Sequence, residues 1–195
     1  MIKNTKYDAN FTAGGIFFNE FSNLKEYLLN EDFEEIVKND IEANAILAID
    51  TLSARKRIVS EIIRRHQTMS LKFWEFFQNL QDKEVKLALF YVCLKTYPIV
   101  FDLHFQVTVL KFKLGLELTE YDIQMRLDEL SANSNEVGSW SLSTLKKINT
   151  QYRKAIKDTE LLNCNILSKP NGVRDFFWDY YKENEDAWFL EACFI

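Results

Sequence analysis

The sequence predicts an all-α fold: a compact helical bundle with a short C-terminal extension. The 195 residues include only five glycines and two prolines, too few for the many tight turns of a β-sandwich or barrel. Sixteen Phe, eight Tyr and four Trp supply bulky material for a core. Apolar residues recur three or four positions apart through most of the chain, which is typical of amphipathic helices.

The N-terminal part of the chain predicts three successive helices. In the first, apolar residues at helical spacing follow two glycines: Phe17, Phe21, Leu24 and Leu28. The second, over residues 31–47, is acidic and has Asp32 as a plausible N-cap, with Glu35 three residues later as in a capping box. The third begins near Thr51, is basic, and extends toward Phe77. An acidic helix therefore precedes a basic one.

The most apolar tract, residues 87–110, predicts a pair of core helices hinged at Pro98. Asp82 is a candidate cap for the first helix, and a proline in the first turn of the second loses no hydrogen bond. The segment "FQVTV" inside the tract is ambiguous between helix and strand. Lys95 and Asp102 interrupt the tract, so its charge-free runs are shorter than the ~20 residues of a membrane span. We expect no membrane partner.

The C-terminal third begins after a predicted loop at residues 131–139. Before this loop, Thr119 and Asp122 repeat the capping-box pattern. We expect residues 1–135 to form an N-terminal helical bundle. Residues 136–195 should add a basic helix and an aromatic tail packed on the same core. The aromatic residues of the tail could stack nucleic-acid bases, but their helical spacing favours core positions: Trp178, Tyr180, Tyr181, Trp188 and Phe189.

Two predicted helices carry basic faces, although the formal net charge of the chain is -5. Like charges at i,i+4 spacing repel each other by about 0.2–0.5 kcal/mol per pair, so a purely structural surface would intersperse acids. Two such faces favour an anionic partner, above all double-stranded DNA or another nucleic acid. The candidate binding residues are Arg55, Lys56, Arg57, Arg64 and Arg65 on the first helix and Lys146, Lys147, Arg153, Lys154 and Lys157 on the second.

Other interpretations of the charged helices stay open. Each basic face could be an ordinary solvated surface, or the acidic helix at 31–42 could neutralise one of them. The bound nucleic acid could be RNA. In a protein-interaction module, the basic faces would instead dock an acidic partner.

The sequence favours a non-enzymatic protein without a metal or cofactor. Its two histidines, His66 and His104, lack a Cys, His or carboxylate at metal-ligand spacing. It contains neither a phosphate-binding glycine loop nor a GxSxG nucleophile turn. Asp102 lies among apolar residues, where a carboxylate can be tuned for acid–base work, but pairing with a helix end or an arginine is the simpler expectation. Only a cleft that joins Asp102 to a histidine would favour catalysis.

The three cysteines and the N-terminus favour a cytoplasmic location. Cys93, Cys164 and Cys193 are far apart and odd in number, as expected of reduced thiols. The first residues, "MIKNTKYDANF", contain no apolar stretch that would indicate a signal peptide.

Four stretches, taken in order, resemble one known family. They are "FTAGGIFFNEFSNLKEYLL", "LSARKRIVSEIIRR", "LALFYVCLKTYPIVFDL" and "SWSLSTLKKINTQYRKAI", the last followed by "ELL". Together they resemble the BrxA family of the BREX bacteriophage-exclusion systems over about residues 9–162. In the two basic blocks the matching positions are Ser53, Arg57, Ile58, Arg65, Ser143, Thr144, Lys146 and Lys147.

The resemblance implies an all-helical fold similar to that of the RNA-binding NusB antitermination factor. It also implies DNA binding, other BREX components as partners, and an accessory role without known catalysis. This chain departs from the family pattern at two places. Lys56 stands where the family has a threonine, and Glu160–Asn163 replace the glycine that often ends the second basic helix.

Overall fold

The computed structural model describes residues 7–195, and the fold of these residues is all-α, as predicted. The expectation that the chain has no signal peptide rests partly on residues 1–6, which lie outside the described residues. The helices are α1 (Phe18–Asn23), α2 (Phe33–Ala43), α3 (Leu52–Thr68), α4 (Leu71–Phe77), α5 (Asp82–Thr96), α6 (Pro98–Leu103), α7 (Val109–Lys113), α8 (Glu120–Asn133), α9 (Asn135–Gly138), α10 (Leu142–Asp158), α11 (Asp175–Glu183) and α12 (Trp188–Ala192). A short antiparallel pair, β1 (Leu162–Asn163) and β2 (Ile166–Leu167), follows α10.

The helix starts follow the polar residues expected from the sequence, with two differences. The Thr51 side chain accepts a hydrogen bond from the backbone amide of Ala54 at the start of α3. Asp32 occupies the N-cap position of α2, but its side chain makes no capping bond, so the predicted capping box is not formed. At α5 the N-cap is Gln81 rather than Asp82, and Glu84 completes the box. The predicted box at the start of α8 is confirmed.

The apolar tract forms the two core helical segments that its composition predicts. The segment "FQVTV" is helical: residues His104–Thr108 form a π-helical turn between α6 and α7. The axes of α5 and the Pro98–Lys113 segment are bent by 109°. In the described part of the chain, no single helix has the length and apolarity of a membrane span, although this bent pair passes that test when its two parts are taken together.

Buried apolar residues from Phe11 to Phe194 form one core cluster, which includes the C-terminal tail. Helix α10 packs on α8 and on the 3-10 turn Asn10–Ala13. Trp178, Tyr181 and Phe189 are buried, as expected of core residues. The predicted loop at 131–139 instead contains the single-turn helix α9, capped by Ser134.

Candidate nucleic-acid interface

The guanidinium of Arg55 caps the C-terminal end of α2. Its Nε donates to the carbonyl of Ile41 at 2.7 Å, and its Nη1 donates to the carbonyl of Ile49 at 2.7 Å. Ile41 lies in the last turn of α2, where carbonyls lack helical partners. The side chain is half-buried, so much of its hydrogen-bonding capacity is used within the fold.

Arg64 is paired with acidic residues of the chain itself. Its Nη2 lies 2.6 Å from a carboxylate oxygen of Asp8, and its Nη1 lies 3.7 Å from Glu61. The hydrogen bond that Arg64 donates to Asp8 is the largest cause of a raised pKa at Arg64, which keeps the guanidinium charged. The positive charge of Arg64 is therefore largely balanced.

Arg65 is buried, which corrects the expectation of a solvent-facing cation. Its Nε donates to the Tyr97 hydroxyl at 2.9 Å, and its Nη2 donates to the carbonyl of Gly15 at 2.8 Å. The guanidinium carbon also lies 4.1 Å from the centre of the Phe17 ring. The long side chain turns inward because the loop after Ala13 offers it a carbonyl. In this conformation Arg65 cannot touch a phosphate.

Lys56 and Arg57 are the exposed cations of α3. Arg57 donates a hydrogen bond to the hydroxyl of Thr12. Neither side chain has a carboxylate partner within residues 7–195. Both remain available to an anion in solution.

Helix α10 keeps nearly all of its predicted cations exposed. Arg153 is half-buried and pairs with Glu120 at 3.2 Å. The four lysines of α10 are exposed, and no carboxylate of the described chain pairs with them: Lys146, Lys147, Lys154 and Lys157. We call these four, with Lys56 and Arg57, the free cations.

In the described part of the chain, the acids of α2 that have partners are not paired with cations of α3. Glu34 pairs with Lys38 and accepts a hydrogen bond from Gln67. Asp40 is buried and accepts three backbone amides from the turn after α2. In residues 7–195, no ion pair joins an acid of α2 to a cation of α3.

A short N-terminal segment lies between α3 and α10. Thr12 in this segment accepts the bond from Arg57 of α3, while the amide of Gly15 donates to the Gln151 side chain of α10 at 2.9 Å. A groove of about 350 Å³ borders the same segment and is lined by Ile58 from α3 and Lys154 from α10. The two basic helices therefore flank one groove.

Lys86 of α5 also lines this groove, and sequence reasoning missed it. Its position directly before the apolar tract gave no sign that it would line a groove beside the two basic helices. Its ammonium lies 5.0 Å from the centre of the Phe18 ring.

The residues considered for catalysis have structural partners. Arg126 donates two hydrogen bonds to Asp102, at 2.8 and 2.9 Å, as expected of an Asp102 that pairs with an arginine. His104 is fully buried, with Nδ1 2.9 Å from the Tyr152 hydroxyl and Nε2 2.8 Å from the carbonyl of Ala192. Burial lowers the pKa of His104 to about 4. The imidazole is thus neutral near pH 7.

His66 is likewise part of the packing. Its Nε2 lies 2.9 Å from the carbonyl of Leu28, and its ring stacks on Phe33 at 3.9 Å and on Trp74 at 5.1 Å. Burial lowers the pKa of His66. Across residues 7–195, no three His, Cys, Asp or Glu side chains are grouped as metal ligands.

Comparison with known proteins gives matches over most of the chain. The family model described as BrxA matches residues 5–170. A protein of Bacillus cereus named "BREX protein BrxA" is 25% identical over 177 residues, which cover 90% of this chain and 86% of that protein. The crystal structure of an uncharacterized protein from Magnetospirillum magneticum has a TM-score of 0.79 at 18% identity, covering 97% of this chain and 98% of the other. That likeness shows the fold, while the family model spans well over half of the sequence: this chain belongs to the BrxA family.

Proposed function

We propose that this chain is a cytoplasmic, non-enzymatic DNA-binding component of a BREX-type bacteriophage defence system. The family and the name of the Bacillus cereus relative support the link to BREX. The observation that carries DNA binding is the exposure of the six free cations, none of which has a carboxylate partner in residues 7–195. In this proposal residues 136–195 add the second basic helix to a bundle formed by residues 1–135.

The dimensions of α10 suit a phosphate backbone. A rise of about 1.5 Å per residue places Lys146 and Lys157 about 16 Å apart along the helix axis. Over that length, one strand of a duplex presents about five phosphates. Contacts to phosphates hold a duplex in place but carry no sequence information. We therefore expect weak sequence preference.

Equilibrium binding to several unrelated duplexes tests this function. Arg57→Gln and Lys147→Gln should each weaken binding to every duplex by a similar factor, because each removes one phosphate contact. Lys182→Gln is the control, since Lys182 lies on α11 and pairs with Asp179 at 3.0 Å. A loss that depends on the duplex sequence would contradict phosphate recognition. If single-stranded RNA competes better than duplex DNA, the RNA-binding alternative replaces this one.

The acidic face of α2 favours a second role, in protein interaction. Four acidic residues, in α2 and in the turn before it, are exposed and have no cation partner in the described chain: Glu31, Asp32, Glu35 and Glu42. Such a face suits a basic surface on another BREX component. Pull-down of those components after nuclease treatment tests this role, because contacts bridged by nucleic acid are then lost. Retention that disappears in a Glu31→Gln, Glu35→Gln variant would support direct docking.

A further inference from the structure

We propose that the groove between α3 and α10 is a subsite for one phosphodiester group, with Lys86 and Lys154 as its cations. The inference rests on the proposed binding of nucleic acid and names a groove that is lined by one cation of α10 and one cation of α5. The groove has a volume of about 350 Å³ and is bordered by residues 13–20, α3, α5 and α10.

Both lysines are available to a ligand. Neither Lys86 nor Lys154 has a carboxylate partner in residues 7–195. Lys86 lies on α5 and Lys154 on α10, so they approach the groove from two separate helices. A phosphate group has several acceptor oxygens, so ammonium groups from separate helices can each donate to it.

Two glycines, Gly14 and Gly15, are among the residues that line the groove. Gly14 has a φ of +157°, and a Cβ atom there would lie 2.7 Å from the ring of Phe17. Gly15 has a φ of +26°, in the region that glycine tolerates best. A side chain at either position would strain the loop or obstruct the groove.

Arg65 holds Gly15 from inside the protein. Its guanidinium donates to the carbonyl of Gly15 and stacks on the Phe17 ring. We assign it as a positioning residue: it fixes the loop and places a positive charge beneath it without touching the ligand. This role explains why Arg65 is buried although the sequence predicts it at the surface.

Two carboxylates in the groove determine which phosphate it binds. Glu20 and Asp158 also line it, so the formal charge of its four ionisable side chains is zero. A neutral groove does not concentrate free anions. It binds a phosphodiester whose neighbouring phosphates are held by the other free cations. The ligand is therefore a continuous nucleic-acid backbone and not inorganic phosphate.

Duplex binding by a set of single variants tests the subsite. Lys86→Gln should weaken affinity about three- to tenfold and lower the salt slope by about 0.9, the value for one phosphate contact. Asp158→Asn should strengthen affinity about twofold, because it removes a charge that repels the phosphate. Lys182→Gln, outside the groove, should change neither value. Inorganic phosphate should compete no better than chloride at equal ionic strength.

The outcomes separate the subsite from the proposed function. If the wild-type protein binds no duplex, both fail. If Lys147→Gln weakens binding but Lys86→Gln behaves like Lys182→Gln, the subsite is wrong and the proposed function stands. Weaker binding by Asp158→Asn would also overturn the subsite. That variant keeps the test decisive if Lys86→Gln folds poorly, which its melting curve would reveal.

Discussion

The helices α3 and α10 have the same length of 17 residues and five predicted cations each, but they use them differently. On α3, three arginines are bound by the protein itself: Arg55 by carbonyls, Arg64 by carboxylates and Arg65 in the core. On α10, only Arg153 is bound in this way, and four lysines remain exposed. Equal counts of basic residues therefore correspond to unequal charged surfaces.

The chemistry of the two side chains explains the difference. Arginine presents five donors in a planar fork, which suits carbonyls and carboxylates at fixed positions, whereas lysine is a strongly hydrated point charge. The residues predicted on both helices divide along this line, with Arg57 as the exception. We infer that the arginines mainly stabilise the fold and that the lysines mainly bind the ligand.

The polar groups on the buried sides of the helices differ as well. On α3, Tyr97 links two charged residues: it accepts from Arg65 and donates to Glu61 at 2.7 Å. On α10, Tyr152 contacts the neutral groups of His104 and Thr108. Removal of the Arg65 charge should therefore strongly destabilise the packing of α3. Protonation of His104 should destabilise the packing of α10.

The largest expected effect is on α3. Arg65→Met should lower the free energy of unfolding by about 3–5 kcal/mol, because it removes one member of a buried charged network. Urea denaturation of the purified protein measures this value. Arg57→Gln is the matched control on the same helix, and its effect should stay below about 1 kcal/mol because Arg57 is exposed. Equal stability of the two variants would contradict a structural role for Arg65.

The next effect is a pH dependence on the α10 side. Because the pKa of His104 is about 4 in the folded chain, against an ordinary value of 6.5, the unfolded state binds its proton first as the pH falls. The stability from neutral His104 is complete above pH 6.5 and is lost toward pH 4. The loss is about 1.4 kcal/mol per pH unit, so about 2 kcal/mol at pH 5.

Denaturation at pH 7, 6 and 5, together with an NMR titration of the His104 ring, checks this prediction. The lowered pKa of His66 adds in the same direction. The depressed pKa values of Glu84 and Asp122 act below about pH 4.5 and leave this window unaffected. If the His104 ring titrates near pH 6.5, neutral His104 does not produce this pH dependence of stability.

A smaller effect compares free and paired cations directly. Replacing both Lys146 and Lys147 with glutamine should weaken duplex binding about tenfold, because two phosphate contacts are lost. The double variant Asp8→Asn, Arg64→Gln removes a paired cation without changing the net charge. It should change duplex affinity less than about twofold. Similar losses in the two variants would show that pairing does not decide which cations bind.

The smallest expected effect lies at the end of α10. Glu160 has a φ of +61°, a conformation that glycine adopts without strain. Glu160→Gly would relieve this strain but lose the ion pair with Lys83 at 2.8 Å. Because the two residues are exposed, we expect a net gain in stability below about 1 kcal/mol. A thermal melt at low and high salt separates the two contributions.

The sequence predicts the helices better than the positions of the basic side chains. Periodicity and capping residues place the starts of α3, α5, α8 and α10 to within a residue or two, because those signals are local. The predicted extension of the basic helix toward Phe77 is wrong: α3 ends at Thr68 and a separate helix, α4, begins at Leu71. The burial of Arg65 depends on the Gly15 carbonyl, 50 positions earlier, and the place of Lys86 depends on the packing of α5 between other elements. The pair β1–β2 was missed because strands of two residues have no periodicity to detect.

The most direct test of the central claim is the salt dependence of duplex affinity for the unmodified protein. If the six free cations contact phosphates, the logarithm of the association constant should fall with the logarithm of salt concentration at a slope of about -5, or about -6 with Lys86 as a seventh contact. Replacement of the four exposed lysines of α10 by glutamine should reduce the slope to about -2, or about -3 with Lys86. A flat salt response of the unmodified protein, or an unchanged slope in the lysine variant, would contradict the account.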